Sequence, residues 1–149
     1  MPYVAGVLQK YQVRPELICI ELTESALMED PVRARDTLQQ LHALGVKLSM
    51  DDYGTGYSSL AYIKNLALDE LKIDRAFVTG LNTDEQSSAI IRSTIELGHS
   101  LGMTVVAEGV ETAVELAALK QFGCDYAQGY HVARPAAAST FLEWLQGAG

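Results

Sequence analysis

The sequence predicts an α/β protein in which five βα units follow one leading helix. Three observations predict this fold class. Short runs of β-branched and apolar residues recur along the 149-residue chain, longer stretches with apolar residues at helical spacing separate them, and a glycine ends most of those stretches. Strands that alternate with helices of this length form right-handed crossovers, which build a parallel sheet.

The predicted strands are too short to be helices, and turn or capping residues follow each of them. In chain order they are LICIEL (17–22), VKLSMD (46–51), DELKID (69–74), MTVVAE (103–108) and DYAQGY (125–130).

The predicted helices carry their own start and stop signals. The stretch at 31–45 has Pro31 near its start, where proline fits a first helical turn, and Gly45 as its stop. The full set is YVAGVLQKY (3–11), PVRARDTLQQLHALG (31–45), YSSLAYIKNL (57–66), DEQSSAIIRSTIELGHSLG (84–102), TAVELAALKQFG (112–123) and AAASTFLEWLQ (136–146). No linker or charge block interrupts them, so residues 1–149 are predicted to form a single domain.

Composition excludes several classes of protein. The chain is 48% hydrophobic and 20% charged, which is ordinary for a globular domain. Its net charge of −8 argues against a surface that binds a nucleic-acid polymer through phosphates. No run has the length of a membrane span and the start does not resemble a secretory signal, so we expect a cytoplasmic protein. Cys19 and Cys124 show no metal-ligand spacing and are expected to be buried, reduced thiols.

Polar residues stand at or just before the end of every predicted strand. They are Glu21, Asp51 with Asp52, Lys72, Glu108 and Gln128. The carboxyl ends of parallel strands are where ligands bind in α/β folds. One such residue would be a strand end reaching solvent, but five on successive units favour a common site.

The acids of this set are predicted to share a cation. Glu21, Asp51, Asp52 and Glu108 are oxygen donors of the kind that Mg²⁺ or Mn²⁺ prefers, and two ions bridged by Asp51 could orient a water for attack on phosphorus. Lys72 could hold or deprotonate that water, or offset phosphoryl charge, or be paired with an acid. Gly54 and Gly56 suit either a loop that approaches a ligand or a simple turn.

Five motifs in order carry a family resemblance. They are ELTES (21–25), DDYGTGYSSL (51–60), LKIDRAFV (71–78), VVAEGVET (105–112) and QGYHVARP (128–135). They resemble the later motifs of the EAL-domain phosphodiesterases, which hydrolyse the bacterial second messenger cyclic di-GMP to linear pGpG. The resemblance implies a substrate, cyclic di-GMP, and a site with two Mg²⁺ or Mn²⁺ ions.

The resemblance also implies roles for the matching residues. Glu21 corresponds to a ligand of the first ion, Asp51 to the bridging ligand, and Asp52 and Glu108 to ligands of the second. Lys72 corresponds to the lysine that interacts with the catalytic water.

Further positions match the family's loop and substrate residues. Glu24 resembles the glutamate that steadies the loop after the paired aspartates, the loop that holds Gly54 and Gly56. Glu111 resembles the second acid of its motif, and Gln128 a glutamine near the site at the last strand.

The departures from the family pattern set the remaining expectations. The chain contains no Glu-Ala-Leu tripeptide, and a metal-binding Asn of the family has no counterpart. The resemblance therefore implies a partial TIM-like (β/α)8 barrel, roughly strands four to eight, with impaired hydrolysis.

Open sheet edges at 17–22 and 125–130 predict self-association, most simply a homodimer. GGDEF or sensory domains in a longer parent protein are a further implication.

Two alternatives stay open on the sequence. The chain could be a non-catalytic module that binds cyclic di-GMP or a protein. A remote alternative is an enolase-like barrel, in which carboxylates hold Mg²⁺ and a lysine abstracts a proton.

Overall fold

A computed structural model describes residues 2–53 and 60–147 of the chain. Its helices are α1 (Pro2–Tyr11), α2 (Glu24–Glu29), α3 (Pro31–Ala43), α4 (Leu60–Ile63), α5 (Arg75–Gly80), α6 (Glu85–Ser100), α7 (Ala113–Gln121) and α8 (Ala138–Gly147), with a short 3₁₀ helix at Pro15–Leu17. Its strands are β1 (Cys19–Thr23), β2 (Lys47–Tyr53), β3 (Glu70–Ile73), β4 (Thr104–Ala107) and β5 (Tyr126–Ala127).

The five strands form one parallel sheet in the order β1-β2-β3-β4-β5. Each strand therefore neighbours the next one along the chain, as consecutive right-handed βα units require. This arrangement confirms the predicted fold class and is that of part of an α/β barrel. Within the described residues, β1 and β5 each pair along one side only.

The two faces of the sheet differ in polarity. Side chains that face the helices are fully buried, and they include Leu48, Met50, Leu71 and Val105, each 0% exposed. The alternating positions face away from the helices, because successive side chains of a strand point to opposite sides. We call that second side the open face; it carries Glu21, Lys47, Glu70, Lys72 and Val106, which line one cavity.

Two βα units share a similar sequence pattern before and along their strands, and each copy ends in an acidic residue. The first copy of the pattern is HALGVKLSMD (42–51), which leads into β2 and forms most of it. The second copy is HSLGMTVVAE (99–108), which leads into β4 and includes it. The glycine of each pattern follows a helix with a positive φ, +88° at Gly45 and +77° at Gly102, which favours glycine. Because the spacing from that turn to the final acid is the same, Asp51 and Glu108 arrive at the same edge of the sheet.

Some sequence predictions are corrected by the structure. Cys19 is exposed, because it lies on the open face of β1, and Cys124 is only half-buried, so the expectation of two buried thiols is wrong. Two short helices, α2 and α5, were not predicted. Each begins at a capping side chain: Thr23 accepts a hydrogen bond from the Ala26 amide, and Asp74 accepts one from the Ala76 amide.

Within residues 2–53 and 60–147, no helix is both long enough and apolar enough to cross a membrane.

Candidate functional site

Three acids from three strands or strand ends meet at Lys72. The Lys72 ammonium lies 2.8 Å from Glu21 Oε1, 2.5 Å from Glu108 Oε1 and 3.8 Å from Asp51 Oδ1. Lys72 is near the centre of the sheet, in β3, and its side chain is only 6% exposed. The structure therefore brings together four of the residues that the sequence predicts for one site.

The carboxylates keep Lys72 charged. Burial works to lower the pKa of Lys72, but hydrogen bonds to Glu108 and Glu21 and the nearby charge of Asp51 outweigh it, so the pKa is raised above its ordinary value. A lysine in this state is a fixed positive charge and a hydrogen-bond donor. In this arrangement Lys72 is a donor to the acids rather than a base.

An irregularity in β2 directs its two adjacent aspartates to different partners. The pairing of β2 with β3 shifts register between Met50 and Tyr53, and Asp52 has a φ of +57°. Neighbouring residues of a regular strand point to opposite faces, and a shift of this kind redirects them. Asp51 faces Lys72, while Asp52 lies against the carboxyl group of Asp74.

Asp74 lies beside the predicted site residue Asp52, and the sequence alone did not single it out. Burial raises the pKa of Asp52, and the charges of Asp51 and Asp74 together with a hydrogen bond to Asp74 raise it further. Asp74 also caps α5 by accepting a hydrogen bond of 2.8 Å from the Ala76 amide. The available signal was an aspartate before an apolar helical stretch, but residue 74 was assigned to the end of a predicted strand.

Backbone hydrogen bonds hold the loop that follows β4 to β3 on one side and to the segment after β5 on the other. The Glu108 amide donates to the Ile73 carbonyl oxygen at 3.1 Å, and the Val110 amide donates to the Gln128 carbonyl oxygen at 3.0 Å. The Glu111 amide donates to Glu115 Oε2 at 2.8 Å, as part of the cap of α7. These bonds fix the backbone from which Glu108 reaches Lys72.

Other predicted residues lie around this centre. Glu24 is 3% exposed and begins α2, and after the effect of burial its charge raises the pKa of Tyr53 at the end of β2. Gln128 lines a cavity of about 380 Å³ on the open face together with Glu21 and Lys72. Glu111 pairs with Arg75 rather than with Lys72. Gly54 and Gly56, together with the start of the helix predicted at 57–66, lie outside the described residues.

The carboxylate oxygens of this centre are suited to binding a cation. Over the ranges that the structure describes, no group of three or more histidine, cysteine, aspartate or glutamate side chains is placed to hold a metal ion. The acids instead converge on the ammonium of Lys72. Carboxylate oxygens gathered around a cation are the ligand chemistry of Mg²⁺ and Mn²⁺, so the residues fit a hard divalent ion chemically.

Fold and site together define a parallel α/β barrel segment with an acidic centre at the carboxyl ends of its strands. The sequence model of the EAL domain matches residues 1–135. The chain therefore belongs to the EAL domain family, as its five motifs suggested.

Relatives and solved structures agree with this assignment. An uncharacterized protein of Azorhizobium caulinodans is 53% identical over 116 residues, which cover 78% of this chain and 16% of that protein. The phosphodiesterase structure of MucR from Pseudomonas aeruginosa, in complex with c-di-GMP, is 41% identical with a TM-score of 0.89, over 93% of this chain and 56% of that one.

A second similar structure contains a metal ion. BlrP1 of Klebsiella pneumoniae, in a manganese and cyclic di-GMP complex, is 34% identical with a TM-score of 0.80, over 86% of this chain and 33% of that one. The chain spans between 16% and 20% of the length of the first relatives it matches.

Proposed function

We propose that this chain carries part of the active site of a metal-dependent cyclic di-GMP phosphodiesterase, and that the isolated 149-residue chain hydrolyses the dinucleotide slowly. The observation that supports the proposal most is the convergence of Glu21, Asp51 and Glu108 on Lys72 in a member of the EAL domain family. Relatives such as MucR bind c-di-GMP in the structure described above.

A divalent ion completes the proposed chemistry. Asp51, Asp52 and Glu108 would hold Mg²⁺ or Mn²⁺, and such an ion makes a bound water a better nucleophile and neutralises charge on a phosphodiester. The manganese complex of BlrP1 supports this choice of metal.

The chain's own residues supply the remaining roles. Lys72 stays positively charged among the acids, so it would bind an anionic phosphoryl oxygen or orient a water rather than accept a proton. Asp52 and Asp74 place two further carboxyl groups near Asp51. Their mutual repulsion favours a cation at that place.

Slow turnover follows from the number of ligands. The family motif Glu-Ala-Leu does not occur in these 149 residues, and the resemblance gives no counterpart for the ligating asparagine. An ion held by Glu21 and the shared Asp51 alone would be weakly bound, which impairs catalysis by two ions. A longer chain or a partner that supplies the missing ligands would restore the rate.

The test is hydrolysis of cyclic di-GMP to pGpG, followed by chromatography in buffer with Mn²⁺. We expect the wild-type chain to be at least about a hundredfold slower than an intact family member, because removing ligands weakens metal binding strongly. Asp51→Asn should abolish the remaining activity, whereas Asp36→Asn, which changes an exposed acid paired with Arg35, should not. Turnover at the rate of an intact enzyme, or full activity of Asp51→Asn, would refute the proposal.

The non-catalytic binding module is a second candidate, and one observation favours it. Lys72 already compensates part of the acidic charge without a metal, so the cluster can persist in a chain that binds no divalent ion. Calorimetric titration with cyclic di-GMP would then show the same affinity with Mg²⁺ and with a chelator, and no pGpG would form.

We also propose that two copies of the isolated chain associate. The chain exposes 9532 Å², whereas a monomer of 16.2 kDa exposes about 7,500 Å² by the usual scaling with size. The excess of about 2,000 Å² per chain is larger than the roughly 800 Å² that each partner buries in a standard interface. Leu17, just before β1, and Tyr126, in β5, are exposed apolar residues at the two sheet edges, and Trp144 and Leu145 of α8 are exposed as well.

Light scattering at micromolar concentration tests this association. We expect the mass of a dimer that dissociates on dilution. A well-folded monomer throughout that range would contradict the proposal.

A further inference from the structure

Arg75 lies across the loop that carries Glu108. Its guanidinium forms an ion pair of 2.7 Å with Glu111 Oε1. Its aliphatic stem covers Gly109, where an added Cβ would overlap Arg75 Cγ and Cβ. One side chain from the start of α5 therefore contacts residues one and three positions after Glu108.

Gly109 is the point at which this loop turns. Its φ is +69°, a conformation that favours glycine. The next residue, Val110, is 0% exposed and is bonded through its backbone to Gln128 and His131. The loop is thus anchored on the β5 side by backbone bonds, and on the β3 side by the Glu108 amide bond to Ile73 and by Arg75.

We propose that Arg75 is a positioning residue that fixes the direction of Glu108 by holding Gly109 and Glu111. The inference rests on the proposed function for its consequence, namely that Glu108 is a metal ligand. In the described part of the chain Arg75 pairs with Glu111 and not with the acids around Lys72, so it acts through the loop.

The exposed position of Arg75 is compatible with this positioning role. The Arg75 side chain is 61% exposed and that of Glu111 is 44% exposed, so their ion pair adds little to global stability. Packing of the stem on Gly109 is a separate contribution, because long charged side chains cover backbone and apolar surface with their methylene groups. Loss of Arg75 should therefore change the local geometry of the loop more than the stability of the fold.

The experiment compares the wild-type chain with Arg75→Ala, Arg75→Lys and Arg35→Ala. Arg35→Ala is the matched control, since it removes the same charge from another exposed arginine paired with an acid. Binding of Mn²⁺ is titrated by the electron paramagnetic resonance signal of the free ion. Amide hydrogen exchange is measured for residues 108–111 in the metal-free chain, and thermal unfolding is followed for all four proteins.

We expect Arg75→Ala to bind Mn²⁺ about tenfold more weakly, as for other residues that orient a ligand. Its amides at 108–111 should exchange faster while its unfolding temperature stays close to that of the wild type. Arg75→Lys keeps a stem and a charge, so it should recover most of both properties, and Arg35→Ala should match the wild type.

Failure of the metal site and failure of the positioning role give different results. If the wild-type chain binds no Mn²⁺, the proposed metal site fails, and the exchange of residues 108–111 still decides whether Arg75 holds the loop. If Arg75→Ala exchanges at 108–111 like the wild type, or binds Mn²⁺ as tightly, the positioning role is overturned.

Discussion

Lys72→Met is expected to destabilise the metal-free chain by roughly 2 kcal/mol, and Mn²⁺ is expected to restore more stability to this variant than to the wild type. The substitution removes the ammonium that Glu21, Asp51 and Glu108 share and leaves their charges facing one another. Breaking a buried ion pair costs about 3–5 kcal/mol, but Glu21 is 53% exposed, so solvent reduces the effect. A divalent ion that binds the folded state alone would offset the loss.

The measurement is urea unfolding of both proteins in chelator and in buffer with Mn²⁺. Lys47→Met is the matched control, because Lys47 is an exposed lysine of β2 that lines the same open face. We expect little change in stability for this control and no enhanced response to Mn²⁺. Equal effects of the two substitutions would mean that Lys72 has no special role in balancing the acids.

The sheet and most of the acidic centre could be predicted from the sequence because both depend on repeated local patterns. Five apolar runs with glycine-terminated helices between them specify the order of the strands. Asp51 and Glu108 occupy the same position of two similar segments, so the parallel sheet brings them to one edge. The sequence left the role of Lys72 open, and the structure shows that its ammonium pairs with the acids.

Details that depend on strand alternation were less predictable. The sequence places Glu21 and Lys72 at or just before strand ends, and the structure has them inside β1 and β3, followed in the strand by Thr23 and Ile73 respectively as the last residues. Their side chains reach the same place because alternate residues point to the open face. The resemblance supplied their roles, and the period of two explains how an interior strand position can line the site.

Asp74 and Arg75 were harder to find from the sequence. α5 has only six residues, so its apolar pattern is weak, and the aspartate before it is easily taken as the end of the preceding strand. Arg75 contacts Glu111 across a separation of 36 positions that no local rule addresses. Contacts of this kind arise only when two loops at the same edge of the sheet are brought together.

Gly129→Ala is expected to destabilise the chain by about 3 kcal/mol or more and to expose the loop that carries Glu108. A Cβ at this position would overlap the backbone nitrogen, carbon and oxygen of Val110. Overpacking normally costs about 1–3 kcal/mol, and backbone atoms cannot move aside as a flexible side chain can. The segment after β5 would have to separate from Val110 and break the bonds from the Val110 amide to Gln128 and from the His131 amide to Val110.

Urea unfolding and amide exchange at Val110 measure both consequences, and Gly6→Ala provides the control. An added Cβ at Gly6 meets nothing within 4 Å, and alanine is favoured over glycine within a helix by about 1 kcal/mol, so this variant should be as stable as the wild type or slightly more so. The two alanines differ in their surroundings and not in their chemistry. If Gly129→Ala unfolded at the same urea concentration as Gly6→Ala and kept Val110 protected, the close approach of Gly129 to Val110 would not be what holds the Glu108 loop against the last strand.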